Sequence, residues 1–116
     1  MNDIERAFSH CDFSRVEHLD SVTKKNILDF FNTVKYDEIG ASTMPIVDAF
    51  TGNQVTDYRI QNRVVPKAFY RKGQLIWTSE LVYHFDRYNV MLDSELKKYA
   101  IDYMADRPTE TGASFN

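Results

Sequence analysis

The sequence predicts an α+β domain, mainly helical. Three observations carry this. Apolar residues recur at helical spacing in several segments, and a capping residue precedes the strongest of them. One pair of short apolar runs, Ala68-Phe69-Tyr70 and Gln74-Leu75-Ile76-Trp77, brackets a turn containing Gly73. The 116 residues are 43% apolar and 14% aromatic, which suits one core rather than two.

Taken in order, Asp3 caps a short helix over residues 3–9, with Ile4, Ala7 and Phe8 on one side. A looser stretch follows from His10 to Asp20. Ser21 then opens a helix that aligns Ile27, Phe30, Phe31 and Val34. Residues 37–41 read as a connection, with Gly40 as the stop. Ser42 or Thr43 caps a short helix with Pro45 in its first turn, running through Ile46, Val47, Ala49 and Phe50 to Gly52.

Residues 51–54 form a turn. Residues 55–63 put Val55 and Tyr58 on a helical face, but the same letters alternate as a strand does, and periodicity leaves both open. Pro66 ends that element, and the hairpin around Gly73 comes next. Thr78 caps a helix through Leu81, Val82, Phe85 and Tyr88, with Glu80 in its first turn. Asp93 caps the last helix, where Leu96, Tyr99, Ala100, Tyr103 and Met104 fall at i, i+3, i+4, i+7 and i+8. Residues 1–105 are thus expected as a single domain: a helical arm (1–40), a core (42–90) and a C-terminal helix (93–105). A polar tail (106–116) follows.

Composition narrows the function. The net charge of −3 argues against general affinity for nucleic acid, yet residues 51–80 hold five bases and two acids. Local field counts for more than the total. The single cysteine, Cys11, forms no internal disulfide and points to a reducing, cytoplasmic setting, that of a host cell or of a virion. No apolar run approaches membrane-spanning length, and the N-terminus lacks the apolar stretch of a secretory signal.

A short helix, a tight turn, a second element and a basic hairpin make the layout of a winged helix-turn-helix. The residues that fit are Ala49, Thr51-Gly52, Tyr58-Arg59, Pro66, Gly73 and the run Trp77-Thr78-Ser79-Glu80-Leu81. Over residues 46–85 the chain resembles the winged-helix domains of phage excisionases and MerR-type regulators. It departs from them in a shorter turn after Gly52, in Arg63-Val64-Val65 where a glycine precedes the wing proline, and in acidic Asp57.

The resemblance implies a small DNA-binding regulator or architectural factor, encoded by a phage or mobile element, with additional N-terminal helices and a C-terminal helix. Thr56, Arg59, Asn62 and Arg63 would face base edges and phosphates from a helix over 55–63. Lys67, Arg71 and Lys72 on the wing would meet phosphates of double-stranded DNA. A module this small implies a homodimer or larger assembly, and Tyr99, Tyr103 and Met104 are the self-association candidates.

The competing expectation is a protein-interaction module, an adaptor, inhibitor or assembly component, that binds no nucleic acid. In that reading Arg71-Lys72-Gly73 is a solvated hairpin tip, Trp77 a core anchor, and Tyr99, Tyr103 and Met104 internal packing. An enzyme is not expected, nor a small-molecule substrate or cofactor. His10, Cys11 and His18 match no metal spacing, His84 reads as a half-buried structural residue, and four dispersed glycines form no phosphate loop.

Overall fold

The side chain of Asp20 starts the first helix, accepting the Thr23 N–H at 2.6 Å. The cap is thus one residue ahead of Ser21, and α1 spans Ser21–Thr33. The computed structural model describes residues 11–106, so the helix expected over 3–9 and most of the polar tail lie outside them. Along α1, Ile27, Phe30 and Phe31 are fully buried.

Around this helix the chain forms more strand than its periodicity announced. The strands are β1 (Cys11–Val16), β2 (Asp37–Ala41), β3 (Ile46–Val47), β4 (Gln54–Val55), β5 (Arg59–Ile60), β6 (Arg63–Val64), β7 (Ala68–Lys72), β8 (Leu75–Thr78) and β9 (Val90–Leu92). Two further helices follow β8 and β9: α2 (Ser79–Tyr88) and α3 (Ser94–Ala105). Strand makes up 32% and helix 37% of the described residues, which corrects the expectation of a mainly helical domain.

The largest sheet is antiparallel, in the order β2-β7-β8. Its centre is the expected hairpin, in which Lys72 pairs with Leu75 across a two-residue turn. Gly73 takes φ +60 at the first turn position, which a side chain resists. There the backbone also lies against α3: a Cβ on Gly73 would come 3.1 Å from the Tyr99 hydroxyl. Tyr70 and Trp77 pair across the hairpin on one face, and that face packs on α1. The Trp77 ring lies 5.6 Å from Phe30, 5.4 Å from Phe31 and 5.2 Å from Tyr36, and its side chain is fully buried. The buried Ser79 hydroxyl ties the hairpin to its approach, donating to the Pro66 carbonyl and accepting the Ala68 N–H.

The winged layout fails at residues 46–63. The short helix expected from Ile46 to Phe50 is strand β3 followed by a turn, and β3 pairs with β4. The recognition helix expected over 55–63 is absent. In its place β5 and β6 form a tight hairpin with Gln61 at φ 53 and Asn62 at φ 65. Two successive positive φ angles define a type I′ turn, whose twist matches the flanking strands. Alternation outweighed the helical reading here because Ile60 and Val65 bury their apolar side chains while Arg59, Arg63 and Val64 stay exposed. Two segments read as connections are also strands: β1 pairs with β9, and β2 with β7.

The Tyr70 hydroxyl and Trp77 Nε1 are buried without a hydrogen-bond partner among the described residues. Burial pushes the Tyr70 hydroxyl well above the usual phenol range. The ring therefore contributes through apolar contact while its polar atom costs stability. Tyr70→Phe should unfold in urea within about 1 kcal/mol of the parent or be more stable. Phe30→Ala should lose about 3–5 kcal/mol. A loss of several kcal/mol in Tyr70→Phe would show that the hydroxyl is bonded.

Candidate functional site

The turn between β3 and β4, residues 48–53, is held from within. Asp48 is 3% exposed. Its Oδ1 accepts the N–H groups of Phe50 (2.8 Å) and Thr51 (3.0 Å). Its Oδ2 accepts the hydroxyls of Tyr83 (2.8 Å) and Tyr88 (2.5 Å) from α2. Those four bonds occupy the carboxylate's acceptor sites. Burial pushes the carboxyl up, but the bonds from Tyr88, Tyr83 and the two amides outweigh it and hold Asp48 well below the usual carboxylate range. The backbone closes the loop as well: the Asp48 N–H donates to the Asn53 carbonyl, and the Gly52 N–H donates to the Asp48 carbonyl.

His84 supplies the second tie. It is 1% exposed, and its Nε2 accepts the Ala49 N–H at 2.9 Å. Nδ1 must then carry the proton, donating to the Glu80 carbonyl 2.7 Å away. Both ring nitrogens are used within the fold, as are all the acceptor sites of Asp48.

This buried network places an exposed aromatic surface. Phe50 is 52% exposed and lies on Tyr88, with ring centroids 4.5 Å apart. Phe13, on β1, is 39% exposed and meets the His84 ring edge-on at 4.7 Å. Strand β1 is held in turn by Glu17, a buried carboxylate that accepts the Leu92 N–H and pairs with Lys97 of α3 at 3.1 Å. Beside the loop a cleft of about 310 Å3 is lined by Thr51, Asn53, Gln54, Tyr83 and Arg87.

The residues expected to read DNA lie elsewhere. Thr56 is exposed in the link between β4 and β5, on a shallow groove with Pro45, Val64 and Pro66. Arg59 is exposed on β5, and Asn62 occupies the hairpin turn. Arg63 pairs with Glu38 at 2.9 Å and covers the Tyr70 ring. Lys67 lies 3.7 Å from Glu80, and Lys72 sits over the Tyr103 ring at 5.1 Å. Arg71 is half-buried on β7. No helix aligns them, and Arg63 and Lys67 pair with carboxylates of the fold. Tyr99 and Tyr103 pack on Phe30 at 5.8 and 5.7 Å, and Met104 is half-buried against the same core.

Sequence reading passed over Asp48, Phe13 and Phe50 as a site. The run Asp48-Ala49-Phe50-Thr51-Gly52 fits an aspartate-nucleated turn, and that was the available signal. The tyrosines gave none: positions five apart on a helix lie about 140° from each other, so Tyr83 and Tyr88 share no stripe. Comparison with family models, with curated proteins and with solved structures finds no match to the chain. Among the described residues, no helix is long and apolar enough to cross a membrane.

The network has a pH signature. Because the folded carboxyl of Asp48 is depressed, its stabilisation is fully present above the unfolded value of about 4 and is lost as pH falls below it. Asp48→Asn should melt lower than the parent at neutral pH, and its melting temperature should fall less between about pH 4 and pH 2. At the alkaline end, burial and the Asp48 carboxylate push Tyr83 up to about 12. That contribution is present below the unfolded phenol value of about 10 and is lost as pH rises through the folded one. Tyr83→Phe should correspondingly flatten the alkaline limb of the melting profile.

Proposed function

We propose that the chain is a protein-interaction module that binds a protein partner through the Phe13–Phe50 surface. One observation carries this reading: a buried carboxylate and a buried histidine are spent on fixing a loop whose own large side chain faces outward. Removing a charge from water costs several kcal/mol before any bond is made, and an apolar filler would hold a loop with less loss. What the polar network adds is a single backbone conformation. Loops that present aromatic anchors gain affinity when they are ordered before binding. The adjoining cleft supplies the hydrogen-bonding rim that such anchors require.

Double-stranded DNA as the ligand has less support. Groove reading needs a helix or ribbon with cations along one side, and Arg63 and Lys67 are paired with Glu38 and Glu80. Self-association through Tyr99, Tyr103 and Met104 is likewise less favoured, since their rings and thioether contribute to the core. The single cysteine favours a reducing, cytoplasmic setting for the module, an inference from composition.

The parent chain, immobilised, should capture a partner from an extract of its source. Phe50→Asp should lose that partner and Lys98→Ala should keep it, with both variants melting near the parent. Capture that Phe50→Asp leaves intact would remove this surface from the function. So would tight binding of a mixed-sequence duplex that weakens steeply between two salt concentrations.

A further inference from the structure

We infer a second binding site, for a multiply charged oxyanion, at the end of the β2-β7-β8 sheet. There a pocket of about 480 Å3 is lined by Lys35, Arg71 and Lys72, with Tyr36, Gln61 and Asp37. That volume suits a small ligand. Three cations stand against one acid, in a chain whose net charge is −3. The neighbouring acid, Glu38, is neutralised by Arg63 at 2.9 Å and does not offset the field.

The pocket's walls are positioned by the fold. The Gln61 amide donates to the Val34 carbonyl, joining the β5–β6 turn to the end of α1. The same bond covers a terminal helix carbonyl that would repel an anion. Gly73 holds the β7–β8 turn against Tyr99, and the Tyr103 ring supports the Lys72 ammonium from 5.1 Å without neutralising it. Tyr36 forms part of the wall, its hydroxyl buried in the field of Arg63 without a hydrogen-bond partner among the described residues. The ammonium and guanidinium groups that line the pocket, with the Gln61 amide, are donors that phosphate and carboxylate oxygens accept from. A concave site of this kind fits a compact anion better than a duplex backbone, which needs cations along an exposed ridge.

The test is an amide chemical-shift titration of the 15N-labelled chain with pyrophosphate and, separately, with glutarate, at constant ionic strength. Saturable shifts confined to the amides of Lys35, Tyr36, Gln61 and Gly73 are expected. Tighter saturation by pyrophosphate identifies a phosphate source, and tighter saturation by glutarate a carboxylate source. Lys35→Gln combined with Lys72→Gln should weaken binding at least about tenfold. Phe50→Asp should leave it unchanged, so this site and the aromatic surface stand or fall separately. Shifts that never saturate in the parent, or that match a sodium chloride control, would overturn the inference, as would equal affinity in a folded double variant.

Discussion

The contact between α1 and the β7–β8 hairpin is the constraint on which the molecule rests. A two-stranded hairpin is marginal in water by itself. Trp77 ends that marginality by burying its ring against Phe30 and Phe31, while Tyr36 and Tyr70 close the remaining sides. From the same helix Phe30 reaches Tyr99 and Tyr103, which brings α3 onto the opposite flank. One aromatic cluster therefore joins two helices to the sheet. It does so at the cost of the Trp77 indole N–H and the Tyr36 and Tyr70 phenol groups left unbonded among the described residues, a sign that buried area outweighs polar satisfaction here.

On that frame the remaining small hairpins are held by polar ties more than by cores of their own. The β5–β6 turn hangs on the Gln61 amide, the β3–β4 loop on Asp48 and His84, and β1 on Glu17. Each tie joins residues far apart in sequence, and each fixes a surface segment that burial alone leaves free. A two-residue strand buries too little to set its own position. A saturated carboxylate sets position well, because any displacement leaves a charge unpaired in a poorly solvated place.

The same economy accounts for the basic residues of the middle third. Arg63 on β6, Lys67 in the link before β7 and Lys72 at the end of β7 meet a carboxylate, a carboxylate and an aromatic face. Pairs as exposed as these add little stability, about 0–1 kcal/mol. Their effect is to divide the positive field rather than to spread it along a ridge.

The sequence by itself determined the elements whose information is local. The caps at Thr78 and Asp93, the helical stripes of α1 and α3, and the glycine of the β7–β8 turn are all readable, because each depends on residues within one or two turns of chain. Only the tertiary structure decided the state of residues 46–63. The short helix read over 46–50 gave way to strand β3, and the letters of 55–63, which satisfy both periods, fell to strand when Ile60 found burial while Arg59 beside it stayed exposed. It alone also decided the sites. Asp48 meets Tyr83 and Tyr88 across 35 and 40 positions of chain, and no spacing rule reaches that far. A helical stripe records which residues turn inward together, but which buried carboxylate a hydroxyl will meet depends on how the finished elements pack.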